Sequence, residues 1–546
     1  MDLAATILAG SYFESSARAR LEGLLDAGSF VEFLAPPERR RSPHLAAFGV
    51  AAAFDDGVVI GRGRLRGRHI LVAAQEGAFL GGTFGEVHGA KLVGLLRAAA
   101  AGGARPDAVL LLLDTGGVRL QEANAGEIAV ADAMIAILNA RAIGIPVVAL
   151  LGGRAGCFGG GSLVAACASG RAISEPGRLG VSGPEVIETA MGAEEFDSRD
   201  RPLVWRVTGG RTRYLLAGAD IYVEDSIDAF RAAALDLIDE APAFDTPALG
   251  RARAVQAAAA GQFAGLRDAT EIWQRLGLPP DVPDLTDDAY RQLVEGHRPG
   301  AAARKPADRA PFALGAVTAG ALDWAGEAWI TPDGVMGGVA RPETGPAIAL
   351  LGLIHGAPLS LAASLTLSEA LAAIMAEAPR RPILILVDTI GQKMSRSDEL
   401  LGLSQAIGQV AQSIVLARQQ GHRVVTLLTG RAAAAAYIAL VLMAERVVAL
   451  PEAEPAVLSL AAVARVTKMP LEELERLSAT MPVLAPGLAP MRQLGAVHEV
   501  LPAGPGLKRR LETLLTAAQL AKPAEAPAAH PYRELIAHVQ TLIPQV

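Results

Sequence analysis

Leu110-Leu111-Leu112-Leu113-Asp114-Thr115-Gly116-Gly117 reads as a buried strand ending in Asp-Thr and glycine. Gly156-Cys157-Phe158-Gly159-Gly160-Gly161-Ser162 follows, a small-residue turn placed to open a helix. The plan returns in Ile383-Leu384-Ile385-Leu386-Val387-Asp388-Thr389-Ile390-Gly391, then Thr429-Gly430-Arg431-Ala432 and an alanine run to Tyr437. Asp114 and Asp388 lie 274 residues apart, and Arg154 and Arg431 lie 277 apart. That near-constant offset predicts a duplicated domain.

A turn of glycine or alanine lets a ligand approach the backbone closely. The first amides of a helix have no intrahelical partner. They can face an anion, or a carbonyl that is becoming one. Two such turns after neighbouring strands predict an oxyanion hole built from backbone. The plainer alternative is a pair of ordinary α/β turns, and the repetition counts against it.

The 546 residues are enough for two to four domains of ~150 residues. Half the chain is hydrophobic, so a large core is available. The net charge of −7, with no basic stripe, argues against a nucleic-acid partner. Two cysteines, Cys157 and Cys167, exclude a disulfide framework and a four-cysteine zinc ribbon. The expected compartment is the cytoplasm. Met1-Asp2-Leu3 lacks the basic region of a signal peptide. Apolar runs such as Ala432 to Ala444 fall short of the ~20 residues of a membrane span.

Along the chain, residues 14–34 predict a helix stopped at Gly28. Residues 57–74 predict a hairpin turning at Leu65-Arg66-Gly67-Arg68. A helix over 87–101, a strand at 108–113, a helix at 125–141 and a strand at 146–151 give an α/β domain. Gly296 to Pro311 has no apolar period and reads as a linker. This divides the chain into 1–295, 296–311 and 312–546. The second half predicts strands near 346–352 and 358–363, and a helix at 366–377. A strand at 382–387, a helix at 398–418, a strand at 423–428 and a helix from about 432 follow. Ala521 to Pro531 is rich in proline and alanine, and 532–543 reads as a terminal helix.

Asp114-Thr115-Gly116-Gly117-Val118-Arg119-Leu120-Gln121-Glu122 is similar to the Asp-Ser-Gly-Gly-Ala-Arg-Ile-Gln-Glu stretch of acyl-CoA carboxyltransferases. Gly81-Gly82-Thr83-Phe84-Gly85-Glu86-Val87-His88-Gly89-Ala90-Lys91 resembles their earlier glycine loop. Within that superfamily, Ser42-Pro43-His44-Leu45, Gly183-Pro184-Glu185-Val186-Ile187-Glu188 and Glu194-Glu195-Phe196-Asp197 look like the beta subunit of biotin-independent malonate decarboxylase. The second half looks like its gamma subunit, so the chain resembles a beta–gamma fusion. The resemblance implies two crotonase-like ββα-spiral domains in tandem. It implies loss of CO2 from a malonyl thioester on an acyl carrier protein, the delta subunit. A separate alpha subunit loads the malonate. The carrier arm is a phosphoribosyl-dephospho-CoA group; no biotin and no metal are expected.

The chemistry fits the turns. Departure of CO2 leaves an enolate whose oxygen needs preformed donors, each worth ~100–1000-fold in rate. By resemblance, one hole uses Gly159 and Gly160 with Gly116 and Gly117 facing them. The second uses Ala434 and Ala435 facing Gly391, where carboxyltransferases have Gly-Gly. In those enzymes one hole serves biotin and the other the acyl-CoA, so without biotin one is idle or holds the leaving carboxylate.

The polar candidates carry two readings each. Arg119 holds a carboxylate, or forms an ion pair with Glu122. Lys91 meets a carrier phosphate, or lies on a solvated face. His88 and Tyr437 are proton donors, or a helix-face histidine and a core phenol. Cys157 is better read as packing than as a nucleophile. Arg178 and Lys393 are further phosphate candidates, and Glu185 and Glu188 have no derivable role. Two rival functions stand beside the main one: a biotin-dependent carboxyltransferase component, and a non-catalytic scaffold that docks the carrier. Thr467-Lys468-Met469 is not the Met-Lys-Met of a biotinyl site, so any biotin carrier would be elsewhere.

Overall fold

The computed structural model describes residues 10–101, 105–318, 320–517 and 531–543. Met1-Asp2-Leu3 and residues 521–530 of the Pro/Ala-rich tail lie outside the described residues.

Each half is a ββα spiral of several turns wound about one sheet. The first sheet runs Val31–Phe33, Val58–Leu65, Arg68–Gln75, Ala108–Leu113, Val147–Leu151, Gly170–Ser174, Ile221–Val223 in spatial order. The first three strands pair antiparallel and the rest parallel. The second sheet runs Ala310–Phe312, Ala325–Ile330, Val335–Arg341, Ile348–Gly356, Ile383–Thr389, Val424–Leu428, Arg446–Ala449, Glu499–Val500, again antiparallel and then parallel. Each half also has a small parallel pair beside its turn: Cys157–Phe158 with Leu179–Gly180, and Arg431–Ala433 with Glu454–Ala456.

The helices lie mainly between the two sheets. One apolar core holds the inner sheet faces together with the Ala123–Ala142, Gly160–Cys167, Leu361–Glu377 and Leu403–Gln419 helices of both halves. Burial of parallel strands on both faces explains their unbroken Leu, Ile and Val runs. Smaller cores cover the outer faces: Tyr12, Leu21 and Phe230 on the first sheet, Leu507, Leu511 and Leu514 on the second.

Several expectations change: the stretch read as a linker over 296–311 runs into the strand Ala310–Phe312, and the helix expected over 398–418 is two, Arg396–Leu400 and Leu403–Gln419, broken at Gly402 with its left-handed φ. Residues 358–363 are not a strand. Ser360 caps the Leu361–Glu377 helix by accepting the Ala363 N–H at 3.1 Å. The predicted helix over 14–34 covers only Ala17–Leu24, and Val31–Phe33 is a strand. Among the described residues one segment, Leu120–Ala142, is long and apolar enough to cross a membrane, but 78% of its window is buried inside the molecule. It is the central core helix.

The last helix, Pro531–Leu542, crosses back to the first half. Tyr532 donates its hydroxyl to Asp132 at 3.1 Å, and Val539 fills the groove at Gly94. It covers the Glu86–Ala100 helix, which is why that helix is buried nearly all round.

Candidate active site at two small-residue turns

The two Asp-Thr motifs do the same work in each half. Asp114 accepts the Ala155 N–H at 2.7 Å, and Asp388 accepts the Arg431 N–H at 3.0 Å. Each aspartate thereby fixes the following turn. Thr115 accepts the Gly117 N–H at 3.0 Å, and Thr389 accepts the Gly391 N–H at 3.3 Å. Gly117 and Gly391 share a left-handed φ, 112° and 110°. Gly159 and Ala434 share another, 54° and 49°. Glycine takes that conformation freely, whereas alanine there is strained. A Cβ on Gly159 would lie 3.1 Å from the Gly117 Cα, so the two backbones of the first turn touch.

The hydrogen bonds decide which amides are free. Gly116 donates to Gly81 at 2.8 Å, Gly117 to Thr115, and Gly159 to Val181 at 3.2 Å. Gly391 donates to Thr389. These four shape the turns but are not available as oxyanion donors, a correction to the expected hole. Among the described residues nothing accepts from Gly160 or Gly161, which open the Gly160–Cys167 helix. Gly116 is exposed and Gly159 half-buried, so this turn meets the surface.

The second turn differs. The Ala435 N–H, counterpart of Gly160, donates to the Gln392 side-chain carbonyl at 3.2 Å. Gln392 is 9% exposed, and its amide nitrogen lies 3.4 Å from the Ser182 hydroxyl of the first half. The matching residue of the first half is Val118: Phe84–Val118 and Leu359–Gln392 form equivalent parallel bridges. Valine has no carbonyl to offer. Among the described residues one helix N-terminus, itself buried, therefore has no resident acceptor, and the other carries a side-chain carbonyl.

Lys91 does not reach a carrier phosphate. It is fully buried and donates to Asp55 and Val58 carbonyls, and burial pushes its ammonium down to about 8. Arg119 is also buried, bonded to Asp56 and Glu122 at 2.8 Å and stacked on Phe79, so the ion-pair reading holds. His44, Glu86 and Glu122 bring ligand-type atoms within 4.8 Å of one another. The Arg119 guanidinium already neutralises Glu122 there. His88 is buried between Gln75 and the Asp56 carbonyl, and burial holds its ring well below the usual range. It is a neutral core residue.

Cys157 and Cys167 are buried free thiols, both pushed up by desolvation, Cys167 to about 12. Neither is poised as a nucleophile. Arg178 stacks between Phe158 and Trp205. Glu188 accepts the Ser198 N–H at 2.9 Å, and Glu185 is exposed. Lys393 lines a cavity of about 470 Å³ with Arg304 and Ser360, and pairs with Asp398 at 3.2 Å.

Sequence reading missed Glu399. Its carboxylate accepts the Val181 and Ser182 N–H groups at 3.0 and 2.7 Å, tying the second half to the loop that supports the first turn. Burial pushes it up to about 7.

The sequence model of the carboxyl transferase domain matches residues 14–207, and that of the malonate decarboxylase gamma subunit matches residues 355–544. The malonyl-S-ACP:biotin-protein carboxyltransferase MADC of Malonomonas rubra is 44% identical over 233 residues, covering 40% of this chain and 73% of that protein. The chain belongs to the malonate decarboxylase branch of the carboxyl transferase family. MADD of the same organism, also a malonyl-S-ACP:biotin-protein carboxyltransferase, is 35% identical over 132 residues, or 24% of this chain and 45% of that protein. A chain of a Pseudomonas malonate decarboxylase hetero-tetramer, solved with malonate, is 40% identical, with a TM-score of 0.42 over 54% of this chain and 100% of that one. In this family member the beta-like and gamma-like halves share one chain.

Proposed function

We propose that the chain removes CO2 from a malonyl thioester carried on an acyl carrier protein, leaving the acetyl thioester. The observation that carries this is the contrast between the unengaged Gly160 amide and the engaged Ala435 amide. The thioester carbonyl accepts from Gly160 and Gly161. The carbon–carbon bond to the carboxylate breaks, and its electron pair moves onto that carbonyl. The helix N-terminus and preformed donors stabilise the enolate oxygen without reorganising. A proton on the α-carbon then completes the acetyl group.

The second turn supports the biotin-independent form of the reaction. In related carboxyltransferases one hole receives biotin. Here the Gln392 carbonyl takes the Ala435 amide that a ureido carbonyl would need. The proposed partners are the carrier protein and a separate subunit that loads malonate. The proposed compartment is the cytoplasm, where two buried free thiols persist reduced.

The names of MADC and MADD favour a second reading, transfer of the carboxyl group to a biotin protein. Gln392 must then swing out of its turn. Purified chain with malonyl-loaded carrier and excess avidin separates the two. CO2 release with conversion of malonyl to acetyl carrier supports decarboxylation. Release that depends on an added biotin protein and stops with avidin supports transfer.

A further inference from the structure

Among the described residues, Glu127 is the buried acid with both carboxyl oxygens unpartnered, and Tyr437 is a second buried group whose polar atom has no partner. Glu127 is 1% exposed, and neither carboxyl oxygen has a hydrogen-bond partner among the described residues. Tyr437 is fully buried, and its hydroxyl has none there either. Groups of this kind destabilise a fold unless something recruits them.

Their place in the fold connects them to both turns. Glu127 lies on the Ala123–Ala142 helix of the first half. Val130, one turn along the same helix face, reaches to 2.5 Å from where a Gly160 Cβ would stand. Tyr437 comes from the second half, two residues beyond Ala435. The Ala123–Ala142 helix packs against the Ile438–Leu442 turn that directly follows Tyr437, which brings the Glu127 carboxyl near the Tyr437 phenol. The pair therefore spans the boundary between the halves, with Val130 linking the Glu127 helix to the Gly160 turn. With no cation beside it, burial keeps Glu127 protonated.

We propose that Glu127 is the proton donor of the reaction, delivering its carboxyl proton to the α-carbon of the enolate, with Tyr437 hydrogen-bonding the carboxylate left behind. This rests on the decarboxylase reading. The enolate carbonyl re-forms, its electron pair takes the proton at carbon, and solvent returns a proton to Glu127 when acetyl carrier leaves. Run backwards, the same step exchanges methyl protons of the acetyl thioester.

The test uses the full chain and two assays: CO2 release from malonyl-loaded carrier, and deuterium uptake into acetyl-loaded carrier in D2O. The expected result is that Glu127→Gln lowers both by about 100-fold or more, within the range of general acid catalysis. Glu127→Met removes the buried carboxyl without adding a polar atom. It is expected to keep or raise the melting temperature while losing exchange to the same degree. A purely structural role would not separate stability from exchange in this way. Wild-type release and exchange that persist in a folded Glu127 variant overturn this assignment alone. A wild-type chain that releases no CO2 overturns the decarboxylase reading, and the assignment with it.

Discussion

The side-chain carbonyl of Gln392 accepts the Ala435 amide at 3.2 Å, the bond that an acyl oxygen would make at the equivalent amide of Gly160. Duplication has thus produced two anion-type turns, and the substitution of valine by glutamine is the one that engages the second turn's amide. If the first turn does the chemistry, removing the plug changes little. Gln392→Val is expected to alter CO2 release by less than about threefold, under ~0.7 kcal/mol of barrier. Steady-state release from loaded carrier is the measurement. A loss of tenfold or more would give Gln392 a direct part in turnover.

Glu399 predicts a pH dependence of stability. Its carboxyl sits near 7 in the folded chain, above its ordinary value of 4.5. A raised carboxyl stabilises the fold fully below about pH 4.5, and that contribution is lost as pH rises through 7. One group supplies a slope of at most ~1.4 kcal/mol per pH unit. Other buried acids act in the same direction, so the difference is what matters. Denaturant melts between pH 5 and 8 are expected to show a shallower decline for Glu399→Gln than for wild type.

Arg119 is expected to be structural. Arg119→Met leaves Asp56 and Glu122 buried without their cation, and is expected to cost ~3–5 kcal/mol in denaturant unfolding. Lys91→Met is expected to leave KM for the carrier within about twofold, since an effect that small lies below ~0.5 kcal/mol. A large rise in KM with unchanged stability would return Lys91 to the carrier's phosphates.

The thiols predict inertness. Iodoacetamide is expected to leave Cys157 and Cys167 unmodified in the native chain and to alkylate both after denaturation, read by intact mass. Native modification of Cys157 with parallel loss of activity would contradict a packing role.

Much of the fold was legible in the sequence because the Asp-Thr-Gly strand ends and the small-residue turns are local. The strand at 108–113 is found where its apolar run predicts it. Leu359 to Ala363 was not, since a short apolar run fits a strand or a buried helix start equally. Lys91 was misplaced for a non-local reason: a charged residue near a glycine loop suggests a surface. The Pro531–Leu542 helix helps to bury the Lys91 helix, while Asp56 and Glu122 neutralise Arg119. Glu127 left a faint signal, a lone acid in an alanine-rich helix turn. Gln392 was legible as a departure from Val118, but the direction of its carbonyl belongs to tertiary structure.

The unengaged Gly160 amide is the central claim, and a matched pair of variants isolates it. Val130→Ala makes room at Gly160, because a Cβ there would lie 2.5 Å from the Val130 side chain. In that background Gly160→Ala keeps the N–H, and Gly160→Pro removes it at a first helical position, where proline is tolerated. The account predicts that the proline form loses ~100–1000-fold in kcat for CO2 release relative to the alanine form, at similar melting temperature. Equal kcat in the two would contradict it.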